Sequence, residues 1–319
     1  MNLNREVVVV GSVNADHRIE VEALPLPGET VLGGPVTLFA GGKAANQSVA
    51  LARLGRAVSL VGAVGSDAAG RRLLDGLRAE GVDVGCLRQA EDVPTGQAVV
   101  LVDPHGENSI VVSPGANARV GAEEIRAARQ RLSSAAVVLA QLEIPVAAVL
   151  EAARLAAGTF VLNPAPAAQL PQELWRHVDV VVPNRGELAR LCGAEVPGDT
   201  AEVVRLAREL PCERVVVTLG GRGAVVVEGP EATLIPAPAV TAVDTTGAGD
   251  CFCGALADGL AGELPLPEAA AFAVRAASLN VRQMGAQTSM PTRAQVEAFA
   301  APSTGGLSTD TPSTDEEAT

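Results

Sequence analysis

AVVLAQLEIPVAAVLEAARLAAGTFVL, residues 136–162, holds a short apolar run, a helical stretch and a second apolar run. The runs at 136–140 and 159–162 have strand length, and residues 146–157 carry apolar positions at helical spacing. Strand, helix and strand in that order require a crossover, so the two strands lie parallel in one sheet. Glu143, Pro145, Glu151 and Arg154 interrupt the region, which excludes a membrane span.

The same alternation extends in both directions. A helix at 123–132 precedes the first of these strands. A short helix near Glu173 leads to a strand at 178–182, helices at 185–192 and 200–210 to a strand at 214–219. A hairpin at 223–235 and helices at 248–261, 267–281 and 292–300 follow. Near the start, Glu6 to Gly11 (EVVVVG) is continuously apolar and β-branched, as a strand buried on both faces should be. Residues 57–64 read as a second buried strand, and 43–54 and 68–80 as helices ended by Gly55 and Gly81. The fold expected is α/β: a doubly wound, mostly parallel central sheet with helices on both faces.

Some segments are of another kind. Arg18 to Ala23 alternates, with Ile19, Val21 and Ala23 apolar, and Thr30 to Phe39 is extended around Gly33-Gly34-Pro35. Residues 96–102 and 109–112 flank Asp103-Pro104-His105-Gly106 as a hairpin would. These half-exposed strands form a small separate sheet, made by about 16–40 and 96–113. Residues 302–319 replace aliphatics by Pro, Ser, Thr, Gly and acids, the composition of a disordered tail. One domain over 1–301 and an acidic tail account for the chain.

Composition narrows the function. The chain has 319 residues and a net charge of -13, with five Phe, one Trp and no Tyr. Nucleic-acid binding needs a basic face and stacking side chains, so it is disfavoured. Five cysteines without a C-x-x-C pair and three scattered histidines provide neither a disulfide framework nor a zinc site. Cys251 stands at a helix start, but no His lies near it in sequence and it is not assigned a catalytic role. No signal peptide is legible, and a cytoplasmic protein is expected. No G-x-G-x-x-G follows the first strand and no G-x-S-x-G is present.

Four stretches can carry chemistry. Asp244-Thr245-Thr246-Gly247-Ala248-Gly249-Asp250 joins an extended approach to a helix. Glycines let the backbone come close to a ligand, and amides at a helix start favour an anion. Asp250, in the first helical turn, would be the base of a phosphoryl transfer to a hydroxyl; it could equally complement the helix dipole. Asn14-Ala15-Asp16 offers an amide and a carboxylate to vicinal hydroxyls, or simply an Asx-turn. Gly41-Gly42-Lys43-Ala44-Ala45-Asn46 opens a helix; Ala44 after the lysine rules out a P-loop. Asn184 and Glu187, three apart after a strand, could hold a hydrated metal or form a capping box.

Taken together these segments resemble the ribokinase-like carbohydrate kinase family. Gly41 to Gly55 and Ala242 to Ala255 match its two signature regions. Pro27-Gly28-Glu29-Thr30, Gln141-Leu142-Glu143, Asn163-Pro164-Ala165-Pro166 and Gly285-Ala286-Gln287 are also similar, over Val7 to about Phe299. The resemblance implies ATP-dependent phosphorylation of D-ribose at its 5-hydroxyl, and it makes the small sheet a lid over the site through which a homodimer forms. By matching position, Asn14, Ala15, Asp16, Gly42, Lys43, Ala44, Ala45, Asn46, Glu143 and Asp250 would bind the sugar. Asn184, Thr218, Leu219, Gly220, Gly221, Arg222, Gly223, Gly249 and Asp250 would line the ATP side. Gly247, Ala248, Gly249 and Asp250 would form the catalytic anion hole. Glu187 would act on Mg²⁺ through water. Asp244, Thr246, Asn280, Gln283, Gly285 and Ser289 would hold K⁺. Ala44 departs from the glycine common there, and Gln283 stands where a basic residue can occur. The rivals are a kinase for deoxyribose, a nucleoside or fructose, and a non-catalytic sugar-binding sensor.

Overall fold

Val7–Val10 (β1) runs through the middle of a large sheet in the computed structural model, which describes residues 3–105, 108–299 and 305–306. All four valines are fully buried. Strand periodicity sends Val7 and Val9 into the core on one face and Val8 and Val10 into the core on the other. At roughly 1.5–3 kcal/mol per buried aliphatic side chain, this run is a strong local determinant of the sheet.

The chain then makes β2 (Asn14–Glu20), the first strand of a second, smaller sheet, and its antiparallel neighbour β3 (Thr37–Gly41). Helix α1 (Lys43–Arg53) returns to β4 (Val58–Gly65), and α2 (Ala68–Ala79) to β5 (Asp83–Ala90). The smaller sheet is completed by β6 (Gly96–Val102) and β7 (Asn108–Ser113), in the order β3-β2-β6-β7. Next come α3 (Ala122–Ala127), α4 (Arg129–Ser134), β8 (Val137–Ala140), α5 (Val146–Leu155) and β9 (Thr159–Leu162). The alternation continues with α6 (Gln172–Trp175), β10 (Val180–Val181), α7 (Arg185–Cys192), α8 (Thr200–Ala207) and β11 (Arg214–Thr218). Antiparallel β12 (Ala224–Glu228) and β13 (Glu231–Ile235) extend the edge. Helices α9 (Ala248–Ala261), α10 (Leu266–Asn280) and α11 (Arg293–Ala298) follow.

The large sheet reads β13-β12-β11-β10-β9-β8-β1-β4-β5, parallel from β11 to β5. After β1 the chain winds one way through β4 and β5, and from β8 it winds the other way. The strand order therefore reverses between β1 and β8, the crevice where doubly wound sheets place ligands.

Several expectations are corrected. Asn14 and Asp16 lie in β2 itself, paired with β3 and β6, which removes the Asx-turn alternative. The extended segment 30–39 forms a strand only from Thr37; before it a single bridge joins Val21 to Gly33. Gly33-Gly34-Pro35 explains this, since glycine packs no side chain and proline donates no ladder hydrogen bond. The helix at 123–132 is two short helices that meet at Ala128. Strand β5 was not anticipated. The acidic tail lies outside the described residues, apart from Gly305 and Gly306, which pair with Leu234 and Thr233 at the β13 edge.

Candidate active site

The carboxyl ends of β1, β8, β9, β10 and β11 deliver Ser12, Glu143, Asn163, Asn184 and Thr218 to one side of the sheet. Two helix starts meet them there. Gly42 caps α1 with φ 89°, and a Cβ on it would sit 2.7 Å from Ser12 O and 2.8 Å from Asn14 N. Only glycine lets α1 begin this close to the β1–β2 connection. A Cβ on Gly41 would lie 2.0 Å from Asp16 Oδ2, so the Asp16 carboxylate occupies space that this glycine leaves.

A ring of polar groups results. Asn14 Oδ1 accepts a 2.7 Å hydrogen bond from Asn117 Nδ2, and Val13 N donates to Asn117 Oδ1 at 3.0 Å. Glu143 Oε2 accepts from Ser12 Oγ and from Lys43 N. Asp250 accepts from Asn46 Nδ2 at 2.9 Å on one oxygen and from Gln47 Nε2 at 3.0 Å on the other. Asp16 Oδ1 is buried without a hydrogen-bond partner among the described residues, an acceptor aimed at the same space. Burial, then the neighbouring Glu143 and Asp250 carboxylates, raise Asp16 to a pKa of about 6. Burial works against the Lys43 ammonium, but Asp250, Glu143 and Glu187 outweigh it and hold its pKa above the ordinary value. Ala15, Ala44 and Ala45 are buried.

On the other side of Asp250, α9 begins at Gly247 in the left-handed conformation, φ 78°. A Cβ there would be 2.9 Å from Ala286, whereas one on Gly249 would meet nothing within 4 Å. The first-turn amides of a helix have no intrahelical acceptor, and this turn opens on a cavity of about 370 Å³. Thr218, Gly220, Gly221 and Gly223 form one wall, and Gly249, Phe252 and Val274 belong to the other. Leu219 packs into the core and Arg222 is exposed; neither lines the cavity, and nor do Asn184 and Asp250. Asn184 and Glu187 form a capping box, Asn184 Oδ1 accepting from Glu187 N and Glu187 Oε2 from Asn184 N, each at 2.8 Å. Burial still pushes the Glu187 carboxyl up, against the pull of the Asn184 N–H and Lys43.

Behind the cradle, two loops are laced together. Asp244 accepts from Thr246 N and Gly285 N, both at 2.9 Å. Burial opposes its ionisation, but these hydrogen bonds prevail and its carboxyl lies below the ordinary range. Asn280 Nδ2 donates to Ser289 Oγ at 2.6 Å, and Ser289 Oγ in turn contacts the carbonyl oxygens of Gly285 and Ala286. Asn280 Oδ1 is buried and has no hydrogen-bond partner among the described residues. Gln283 is exposed. No cluster of three or more His, Cys, Asp or Glu side chains suited to a metal occurs among the described residues. Cys251 and Cys253 are buried and burial pushes both thiols up.

The profile of pfkB family carbohydrate kinases matches residues 4–293. The chain belongs to that family. The kinase is 36% identical over 302 residues to a ribokinase of Haemophilus influenzae, spanning 93% of this chain and 99% of that one. It is 38% identical over 296 residues to a bifunctional ribokinase/ribose-5-phosphate isomerase A of Fructilactobacillus sanfranciscensis, covering 91% of this chain and 55% of that protein's length. A solved structure of Arabidopsis thaliana ribokinase complexed with ribose and ATP superposes with a TM-score of 0.83 and 33% identity, over 93% of this chain and 100% of that one. Five buried polar groups in the network around the site carry no role in the sequence reading: Ser12, Gln47, Asn117, Gln141 and Asn163. Gln47, Gln141 and Asn163 stand inside recognised motifs. Asn117 lies in the 3₁₀ turn Gly115–Arg119, where no periodic pattern marks it.

Proposed function

We propose that this chain transfers the γ-phosphoryl group of ATP to the 5-hydroxyl of D-ribose. One observation carries the reading. Asp250 stands between a carboxylate- and amide-lined sugar side and the cavity under the α9 start, with both its oxygens held by amides of α1. Asn14, Asp16, Lys43, Asn46 and Glu143 bind the sugar hydroxyls, with the backbone of Ala15, Gly42, Ala44 and Ala45. ATP occupies the cavity between 218–223 and α9. Asp250 accepts the hydroxyl proton, an effect worth about 10²–10⁴ in rate. The amides of Gly247 to Asp250 face the charge on the transferring group, and one such donor contributes roughly 3–4 kcal/mol. The β2-β3-β6-β7 lid covers the sugar and limits attack by water.

Two ions fit the residues present. Glu187, beside Lys43 and Asp250 in the charge network, suits a magnesium ion held through water, which would neutralise phosphate oxygens when bound. The orphaned Asn280 Oδ1, with the Gly285 and Ala286 carbonyls beside it, suits potassium, a hard cation that takes oxygen ligands; Asp244, Thr246, Gln283 and Ser289 complete that region. The five cysteines are free thiols and no described helix is long and apolar enough to cross a membrane; a cytoplasmic homodimer is the setting proposed.

The test is ADP formation against ribose, 2-deoxyribose, fructose and a nucleoside, each with Mg²⁺ and with K⁺ or choline. Ribose with K⁺ should give the highest kcat/KM. A higher value for another sugar would move the substrate assignment, no turnover of any sugar would leave a binding protein, and indifference to K⁺ would remove the cation site.

A further inference from the structure

Gln47 is completely buried, and its amide sits between the general base and the ends of three parallel strands. Its Nε2 donates to Asp250 Oδ1 at 3.0 Å and lies 3.3 Å from Asn163 Oδ1. Its Oε1 accepts from Gln141 Nε2. Asn163 Nδ2 donates in turn to Val182 O at 2.9 Å. Thus residues following β8 and β9 converge on one side chain of α1, Asn163 being anchored in turn to the carbonyl after β10, and that side chain grips the carboxylate on α9. Helix α9 is close enough for this because Gly254 faces α1: a Cβ there would be 2.9 Å from Gln47 O and from Ala50 Cβ.

The orientation of the Gln47 amide is forced by chemistry. An ionised carboxylate only accepts, so the NH₂ must face Asp250, which leaves the Gln47 oxygen for the NH₂ of Gln141. Gln141 Oε1 has no partner among the described residues, and it fits only because residue 11 is glycine, where a Cβ would come within 2.2 Å of it. A buried acceptor left without a partner is a standing loss of stability. The arrangement that accepts this loss is one in which Gln141 donates to Gln47.

We propose that Gln47 is a positioning residue for phosphoryl transfer: its amide, aligned by Gln141, fixes the carboxylate of Asp250 against rotation. The inference rests on Asp250 acting as the base. Asn46 holds the other carboxylate oxygen, but Asn46 is itself a sugar-side group. Gln47, fully buried, reaches the substrate only through Asp250. Each carboxylate oxygen keeps a second acceptor direction, so the grip leaves Asp250 able to take the hydroxyl proton.

Gln47→Leu keeps the volume and removes the donor. Turnover should fall by about 10²-fold, the scale of a 1 Å misplacement, while ribose affinity measured by calorimetry changes less than about threefold. The decisive comparison is Gln47→Leu in an Asp250→Asn background. If Gln47 works through the base, the second substitution lowers the residual rate by less than about twofold. Gln141→Leu, which frees the Gln47 amide, should lower kcat by roughly 3–10-fold with ribose affinity unchanged, and serves if Gln47→Leu does not fold. The inference is overturned if Gln47→Leu keeps a near-normal kcat, if it slows both backgrounds equally, or if ribose affinity falls in step with turnover. A silent Gln47→Leu beside an inactive Asp250→Asn sinks this inference alone. An Asp250→Asn enzyme with normal turnover removes the base, and this inference goes with it.

Discussion

Asp16 is the residue where burial, charge and binding are most directly opposed. Its folded pKa of about 6 lies above the ordinary 3.8, so the ligand-free folded state holds a proton that the unfolded chain has lost between those values. Stability of the ligand-free enzyme should therefore decline as pH rises from about 4 to about 6 and level off above. Sugar hydroxyls donate to the ionised form, which gives the opposite trend in binding. Ribose KM should rise as pH falls below about 6, and Asp16→Asn should flatten that dependence while raising KM throughout. KM profiles between about pH 5 and 8 check both variants; a flat wild-type profile would contradict the assignment. At this scale the sequence was partly legible. Asn14, Asp16, Lys43 and Asp250 stood in motifs whose chemistry suggested their roles; Gln47 stood in one too, but its role depends on partners 94, 116 and 203 residues away, beyond the reach of any local pattern.

Elements became legible where their pattern was local. The valine runs of β1 and β11 and the caps of α1 and α2 carry their own signals. Strand β5 did not, because a register irregularity opposite Ser59 and Val61 breaks its alternation, and Arg88 and Gln89 read as surface. The turn into α9 was legible as glycine-rich, but its constraint became plain only with the 285–287 loop behind it. Gly247→Ala would force an alanine to φ near 78° and against Ala286. The left-handed conformation alone should lower stability by about 1–2 kcal/mol. Displacing one cradle amide should reduce kcat by roughly 10²-fold. Thermal unfolding and single-turnover kinetics measure the two effects separately; an unchanged kcat would show that the cradle does not depend on this glycine.

For the molecule as a whole, the reversal of strand order at β1/β8 explains why residues from five strand ends share one site. The lid adds a second large-scale feature, with Leu38, Ile110, Val111 and Val112 exposed on it. Such a surface suits contact between two copies of the chain. If the proposed dimer forms through this face, wild type should scatter light as a dimer and Val111→Lys as a monomer with a raised ribose KM, because the lid would lose its support; a wild-type monomer at micromolar concentration would contradict the pairing. The central claim remains the chemistry at Asp250, and ³¹P NMR of the products reads it most directly. With ATP, Mg²⁺, K⁺ and D-ribose, the enzyme should yield ADP and a phosphomonoester at the ribose 5-oxygen, and Asp250→Asn should form that ester at least about 10²-fold more slowly. Inorganic phosphate instead of a sugar ester, an ester at another hydroxyl, or an Asp250→Asn enzyme as fast as wild type would contradict the account.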